Sequence, residues 1–173
     1  QLSCTNNNNA ELNSENNSVT PEILYIEAMN NFEKKEYDLA LENFGHLERI
    51  FPLSNEAVQS QIMSAFIDYI RLNYDDAIYK FNRITTKYPS HKNLDYVYYM
   101  KAICYYEKIS HEELDGSNNI SALENFEQVQ NRFPDSKYAK DSQQKIILVK
   151  SNIAAKHMSI GRFYQENDKF IEA

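Results

Sequence analysis

The sequence predicts an all-α chain folded as a solenoid of helix–turn–helix repeats, and two observations support this. Ala28, Ala40, Phe44 and Pro52 recur as Ala65, Ala77, Phe81 and Pro89, each 37 residues further on. Small, small, aromatic and proline positions repeated at one offset of this size mark stacked helical hairpins. In addition, only 3 glycines and 4 prolines punctuate 173 residues, too few for the turns of a β-sandwich. Long runs of Leu, Ile, Ala, Lys and Glu fill the rest, as helices require. With 42% hydrophobic residues the chain can bury a sizeable core.

Taken in order, residues 5–19 are rich in Asn and Ser and nearly devoid of apolar side chains. Such a segment cannot bury enough surface to offset its ordering entropy, so residues 1–20 read as a flexible tether. Cys4 lies near its start, in Gln1-Leu2-Ser3-Cys4-Thr5. Two readings stand there: an incidental thiol, or the acyl-bearing cysteine of a bacterial lipoprotein behind a Leu-Ser-Cys processing site. Gln1 departs from the aliphatic residue usual three positions before such a cysteine, and the upstream signal is not within this chain. Cys104 sits inside a helical pattern and reads as a small buried hydrophobe.

The first repeat, residues 21–53, opens cleanly. Thr20 can cap, Pro21 takes the first helical position and Glu22 suits the helix dipole. Leu24, Ala28 and the pair Tyr25/Met29 follow helical spacing to about Lys34. Glu33-Lys34-Lys35-Glu36 forms a solvated turn. The second helix, Asp38 to Phe51, presents Leu41, Phe44, Leu47 and Phe51 before Pro52 stops it. Ala40 is small because the paired helices approach closely; Phe44 fills the wedge where they diverge. The second repeat, residues 54–90, follows the same plan from Asn55 to Arg71 and on to Pro89.

The third repeat, residues 91–135, keeps the landmarks with eight extra residues. Ala77, Phe81 and Pro89 recur as Ala122, Phe126 and Pro134, each 45 residues on. The surplus falls in the polar stretch 111–119, read as an inserted inter-helix loop. After Pro134 the spacing stretches by about four helical turns, so one helix is unusually long. Residues 136–173 read as a partial fourth repeat, with Gly161 and Ala173 standing where Ala28 and Ala40 stand in the first.

A net charge of −7 argues against nucleic-acid binding, which needs a basic footprint. No run of about 20 apolar residues could span a bilayer. His46, His91, His111 and His157 lack Glu or His partners at metal-ligand spacing, and there is no C-x-x-C or glycine-rich phosphate loop. No catalytic constellation, metal site or cofactor is expected, and the chain reads as non-enzymatic.

The order small–small–aromatic–proline resembles the tetratricopeptide repeat (TPR), although the first-helix Trp is missing and the periods exceed the usual length of about 34 residues. The segment His91-Lys92-Asn93-Leu94-Asp95-Tyr96-Val97-Tyr98-Tyr99-Met100-Lys101 narrows this. It resembles the opening of the third repeat in the BamD-type TPR lipoproteins of the outer-membrane β-barrel assembly (BAM) machinery. So do the polar insertion after Lys108, the segment Phe133-Pro134-Asp135-Ser136-Lys137-Tyr138 and the elongated helix that follows. A cysteine ahead of a short polar tether fits the same layout.

In TPR arrays the first helix of each repeat lines a concave groove. With Ala28, Ala65 and Ala102 as equivalent points, the groove positions lie three before, one after and four after each. They are Tyr25, Met29 and Phe32; Ile62, Phe66 and Tyr69; Tyr99, Ile103 and Tyr106, with Tyr96 at the start of the third helix. These side chains either pack between repeats or meet a ligand. A tyrosine favours the second role, because its hydroxyl wants water or a partner. None of the ten is Lys or Arg, so no clamp for a terminal carboxylate is expected.

The resemblance implies more. Cys4 would carry the lipid that tethers the chain to the periplasmic face of the bacterial outer membrane. Thr5, not Asp, after it fits that sorting. The groove would receive the aromatic-ended C-terminal segments of unfolded outer-membrane proteins. Partners would include accessory BAM lipoproteins and the POTRA region of a BamA-like barrel subunit. That last contact is expected mainly through repeats absent here, so residues 1–173 would bind the barrel subunit poorly. The alternatives are another periplasmic TPR adaptor, of the Tol–Pal cell-division type, and a cytoplasmic co-chaperone, which would show a basic clamp.

Overall fold

The computed structural model describes residues 19–111 and 116–171. Seven helices form among them: α1 (Pro21–Glu33), α2 (Tyr37–Ile50), α3 (Asn55–Ile70), α4 (Tyr74–Lys87), α5 (Leu94–His111), α6 (Ser117–Arg132) and α7 (Lys137–Ile171). They pack in chain order: α1 on α2, α3 on α4 and α5 on α6 make three hairpins, and α7 packs on α6. The first helices also touch one another, α1 with α3, α3 with α5 and α5 with α7. The result is an all-α, TPR-like solenoid with one elongated helix after Pro134.

Local chemistry starts each hairpin. Thr20 Oγ1 accepts from the Ile23 N–H at 3.4 Å, and Pro21 needs no partner for a missing N–H. Ser54 Oγ accepts from the Ala57 N–H at 3.0 Å, and Ser136 Oγ from the Tyr138 N–H at 3.2 Å.

The turns inside the first two hairpins are copies. Lys35 and Leu72, 37 residues apart, sit at φ of 62° and 63°. Each is the left-handed residue of a Schellman ending. The Lys35 and Glu36 N–H groups donate to the Phe32 and Asn31 carbonyls, and those of Leu72 and Asn73 donate to Tyr69 and Asp68. Glycine usually holds this position, and side chains there carry strain.

Between hairpins, Phe51, Tyr88 and Phe133 leave the helix with ψ of 56°, 61° and 55°. The proline ring that follows bars the helical region to the residue before it. Each proline then begins a tight turn, closed by the Ser54, His91 and Ser136 N–H groups on the Phe51, Tyr88 and Phe133 carbonyls.

The repeat landmarks are the core. Ala28, Ala65, Ala102, Ala40, Ala77, Ala122, Phe44, Phe81 and Phe126 are all 0% exposed. The alanines let paired backbones meet, and each phenylalanine fills the space where the axes diverge. Cys104 is likewise fully buried among them. An ion pair repeats with the same period: Arg71–Asp38 at 2.8 Å and Lys108–Asp75 at 2.7 Å. Both carboxylates are largely in water, so these pairs contribute little to stability.

One part differs in detail from the sequence expectation. His111 ends α5, and Ser117, Asn118 and Asn119 form the first turn of α6, with both asparagines buried. The insertion therefore lengthens helices at both ends instead of forming one loop across 111–119. Short polar side chains serve well in a first helical turn, where backbone N–H groups lack helical partners. Residues 112–115, Cys4 and Ala173 lie outside the described residues. The long helix expected after Pro134 is α7, which is continuous for 35 residues, about 50 Å. Its first half packs on α6. Across 154–167 every side chain except the half-buried Lys156 is exposed, and a Cβ on Gly161 would meet nothing within 4 Å.

Leu72 is 63% exposed and left-handed. Leu72→Gly removes about 1–2 kcal/mol of strain against about 0.5–1 kcal/mol of added chain entropy, a small net stabilisation. Phe81→Ala, by contrast, lowers stability by about 3–5 kcal/mol. Urea denaturation followed by circular dichroism measures both.

Candidate functional site

The ten groove positions divide by burial. Ile62 and Ile103 are 3% and 7% exposed and lie in the core, where their role is packing. The other eight are half-buried, each resting on the core with one side toward solvent. Tyr25, Met29 and Phe32 lie over Ala28 and Phe44 in the first hairpin. Phe66, Tyr69, Tyr96, Tyr99 and Tyr106 lie over the larger cluster built by α3 to α7.

Ring contacts join these residues into a strip. Phe32 meets Phe66 at 6.1 Å between centroids, and Phe66 stacks on Tyr69 at 5.9 Å. This bridges α1 and α3. Further along, Tyr138 of α7 stacks on Tyr99 at 4.9 Å and tilts against Tyr96 at 5.5 Å. Tyr99 and Tyr106 both lean on the buried Phe126. Tyr69 lies close enough to Tyr96 and Tyr99 to act on both electrostatically. The strip therefore runs from α1 across α3 and α5 to α7.

Its polar edge is acidic. The Tyr99 hydroxyl donates to Asp141 Oδ2 at 2.5 Å. Desolvation, then the bond to Asp141, push the Tyr99 phenol well above the usual tyrosine range. Burial and the neighbouring Tyr138 do the same for Tyr96. Burial also raises Tyr25, Tyr69 and Tyr74, helped by Glu56 at Tyr25 and by Glu107 at Tyr69 and Tyr74. Burial and Glu107 push the Cys104 thiol up to about 12, so it is not a reactive thiolate. Cations also reach the strip: Lys145 Nζ lies 4.8 Å from the Tyr106 ring centroid and Lys137 Nζ 5.0 Å from that of Tyr138.

Sequence spacing did not find Tyr138, Asp141 or Lys145. All three are on α7, where the stretched spacing offers no aligned repeat position, and Asp141 meets Tyr99 across 42 residues. It also missed the bracing behind the strip. The Tyr98 ring is flanked by Arg132 at 4.7 Å and Lys101 at 5.1 Å, with Arg132 donating to its hydroxyl. Lys101, 8% exposed, donates to Asn82 Oδ1 at 3.1 Å. Ser136 Oγ donates to Asp95 Oδ2 at 2.6 Å and ties the start of α7 to α5.

A cavity of about 320 Å³ lies elsewhere, lined by Leu41, Gly45, Glu48, Gln61, Ser64, Lys80 and Arg83, on a different face of α3. Among the described residues no three His, Cys, Asp or Glu side chains are placed to hold a metal ion, and no helix is long and apolar enough to cross a membrane.

The family model described as YfiO, outer membrane lipoprotein, matches residues 17–173. The chain belongs to the YfiO/BamD family. Outer membrane protein assembly factor BamD of Rickettsia prowazekii is 36% identical over 150 residues, covering 86% of this chain and 60% of that protein. BamD of Caulobacter vibrioides is 32% identical over 152 residues, 88% of this chain and 50% of that protein. The chain thus spans about 60% or less of the length of these relatives. BamD of Neisseria meningitidis is 28% identical over 162 residues. Among solved structures, the Yersinia enterocolitica type III secretion chaperone SycD, in complex with a peptide of the translocator YopD, superimposes with a TM-score of 0.58. It covers 79% of this chain and 93% of SycD at 15% identity, a likeness of fold. These matches favour the BAM assignment over the Tol–Pal alternative.

The raised phenols set an alkaline limit to stability. The native state holds Tyr96 and Tyr99 protonated beyond their ordinary range, and Cys104 likewise. Their contribution is complete below the unfolded values, about 8.5 for the thiol and about 10 for the phenols, and is lost as pH rises through the raised native ones. Tyr96→Phe/Tyr99→Phe loses less stability than the parent between about pH 8 and about pH 11, measured by urea denaturation at each pH.

Proposed function

We propose that this chain is a non-enzymatic scaffold of β-barrel protein assembly in the outer membrane. Its tyrosine strip holds an extended segment of an unfolded outer-membrane protein. The observation that carries this is the row of half-buried rings from Tyr25 to Tyr106, continued by Tyr138. Such rings offer wide apolar surface at low entropic cost, with hydroxyls at the edge to meet a peptide backbone. The naming of the relatives as outer membrane protein assembly factors supports the setting. The fold neighbour SycD is in complex with a peptide, which supports a peptide as the ligand.

In this reading Cys4 carries the lipid and residues 5–19 give the helical array reach from the periplasmic face of the membrane. Accessory lipoproteins of the assembly complex and the barrel subunit are its protein partners. The C-terminal segments of unfolded barrels, which end in an aromatic residue, are its substrates.

Two measurements test this. Phe66→Ala and Tyr25→Ala each weaken binding of an aromatic-ended peptide by more than about 1 kcal/mol in calorimetry. Unchanged affinity in stably folded variants would leave these rings only a packing role. In cells making the native precursor, Cys4→Ser moves the protein from the membrane fraction to the soluble one.

A further inference from the structure

The acids along the strip say more about what it accepts. Glu56, Glu107 and Asp141 stand on α3, α5 and α7, the successive helices that carry the strip, and all three are half-buried. Asp141 accepts the Tyr99 hydroxyl, and Glu56 and Glu107 are near enough to Tyr25 and Tyr69 to act on them electrostatically. None of them takes part in an ion pair among the described residues. The cations nearest the ends of α3 and α5 are drawn outward instead, Arg71 to Asp38 and Lys108 to Asp75. No Lys or Arg occupies any of the ten groove positions.

A second observation shows which chemistry fits there. The chain lays its own Lys145 ammonium over the Tyr106 ring at 4.8 Å. Tyrosine faces attract cations, and the attraction grows as the site loses water. The strip thus combines half-buried tyrosine rings with carboxylates that form no ion pair among the described residues.

We infer that the strip takes peptide segments carrying Lys or Arg beside their aromatic residues, and leaves a free terminal carboxylate outside. This rests on the peptide-groove reading above and specifies its ligand. A carboxylate lying among Glu56, Glu107 and Asp141 would be repelled, since the lysines at the strip, Lys145 and Lys137, lie over the Tyr106 and Tyr138 rings and form no ion pair with these acids among the described residues. A C-terminal segment would therefore be held by its internal residues, its last carboxylate beyond the acidic stretch.

The test uses the full chain and four labelled peptide probes read by fluorescence anisotropy. One short aromatic sequence is made with flanking Lys or flanking Glu, each as the C-terminal amide and as the free acid. At low ionic strength the Lys amide binds about tenfold tighter than the Glu amide, and the free acids bind no tighter than their amides. The preference shrinks in high salt and in Glu56→Gln/Glu107→Gln, while Glu56→Asp/Glu107→Asp keeps it. Thermal melts confirm that these variants fold. Equal affinity for Lys and Glu probes, a preference for Glu, or tighter binding of the free acids would overturn the inference and leave the groove standing. Failure of all four probes to bind would overturn the groove reading as well.

Discussion

The close approach of paired helices at alanine governs this molecule. At Ala28 with Ala40, Ala65 with Ala77 and Ala102 with Ala122, no side chain remains accessible to water. A larger residue would push the axes apart, and Phe44, Phe81 and Phe126 would no longer fill the wedges they occupy. The same contact sets how each first helix is rotated about its axis. That rotation decides which residues turn toward the core and which form the strip. The tyrosine strip is thus a consequence of packing on its far side.

Stacking then depends on keeping the hairpins in register. The Schellman endings at Lys35 and Leu72 return the chain at one angle, and the Phe-Pro and Tyr-Pro junctions send it on at another. The left-handed Lys35 and Leu72 hold a conformation that glycine would adopt more easily, so the surrounding hairpin enforces it. Where α7 takes over, the register is held by polar bonds. Ser136 with Asp95 and Tyr99 with Asp141 join α7 to α5. Without them the strip would stop at the third hairpin.

Charge is sorted across the array. Outward pairs such as Arg71–Asp38 lie in solvent and set little energetically. Arg132 and Lys101 are instead spent behind the strip, on the two sides of Tyr98. The strip itself carries tyrosines and carboxylates, with Lys145 and Lys137 over the Tyr106 and Tyr138 rings. An overall charge of −7 is therefore unevenly placed. In the proposed peptide-binding role this unevenness would set selectivity, because charge complementarity steers a ligand and rejects the wrong one more than it adds raw affinity.

Much of this was legible in the amino-acid sequence. Helix class, hairpin boundaries, the cap at Thr20 and the buried alanine and phenylalanine landmarks follow from spacing, because they rest on local dihedral preferences and a period fixed by the repeat. The long helix after Pro134 was legible as a stretched interval. Eight of the ten groove positions were found in the half-buried row, since a fixed offset from a buried alanine fixes a side chain's direction on a helix. Offsets do not report depth, so they left open whether Ile62 and Ile103 pack or meet a ligand, and the structure places both in the core. Nor do they reach across the chain. Tyr138, Asp141 and Lys145 join the strip only because α7 folds back against α5, at sequence separations no periodicity encodes. The sequence by itself determined the repeat and the composition of its inner face. The tertiary structure decided which of those side chains meet and which carboxylates stay unpaired, because both depend on helices brought together by burial rather than by adjacency.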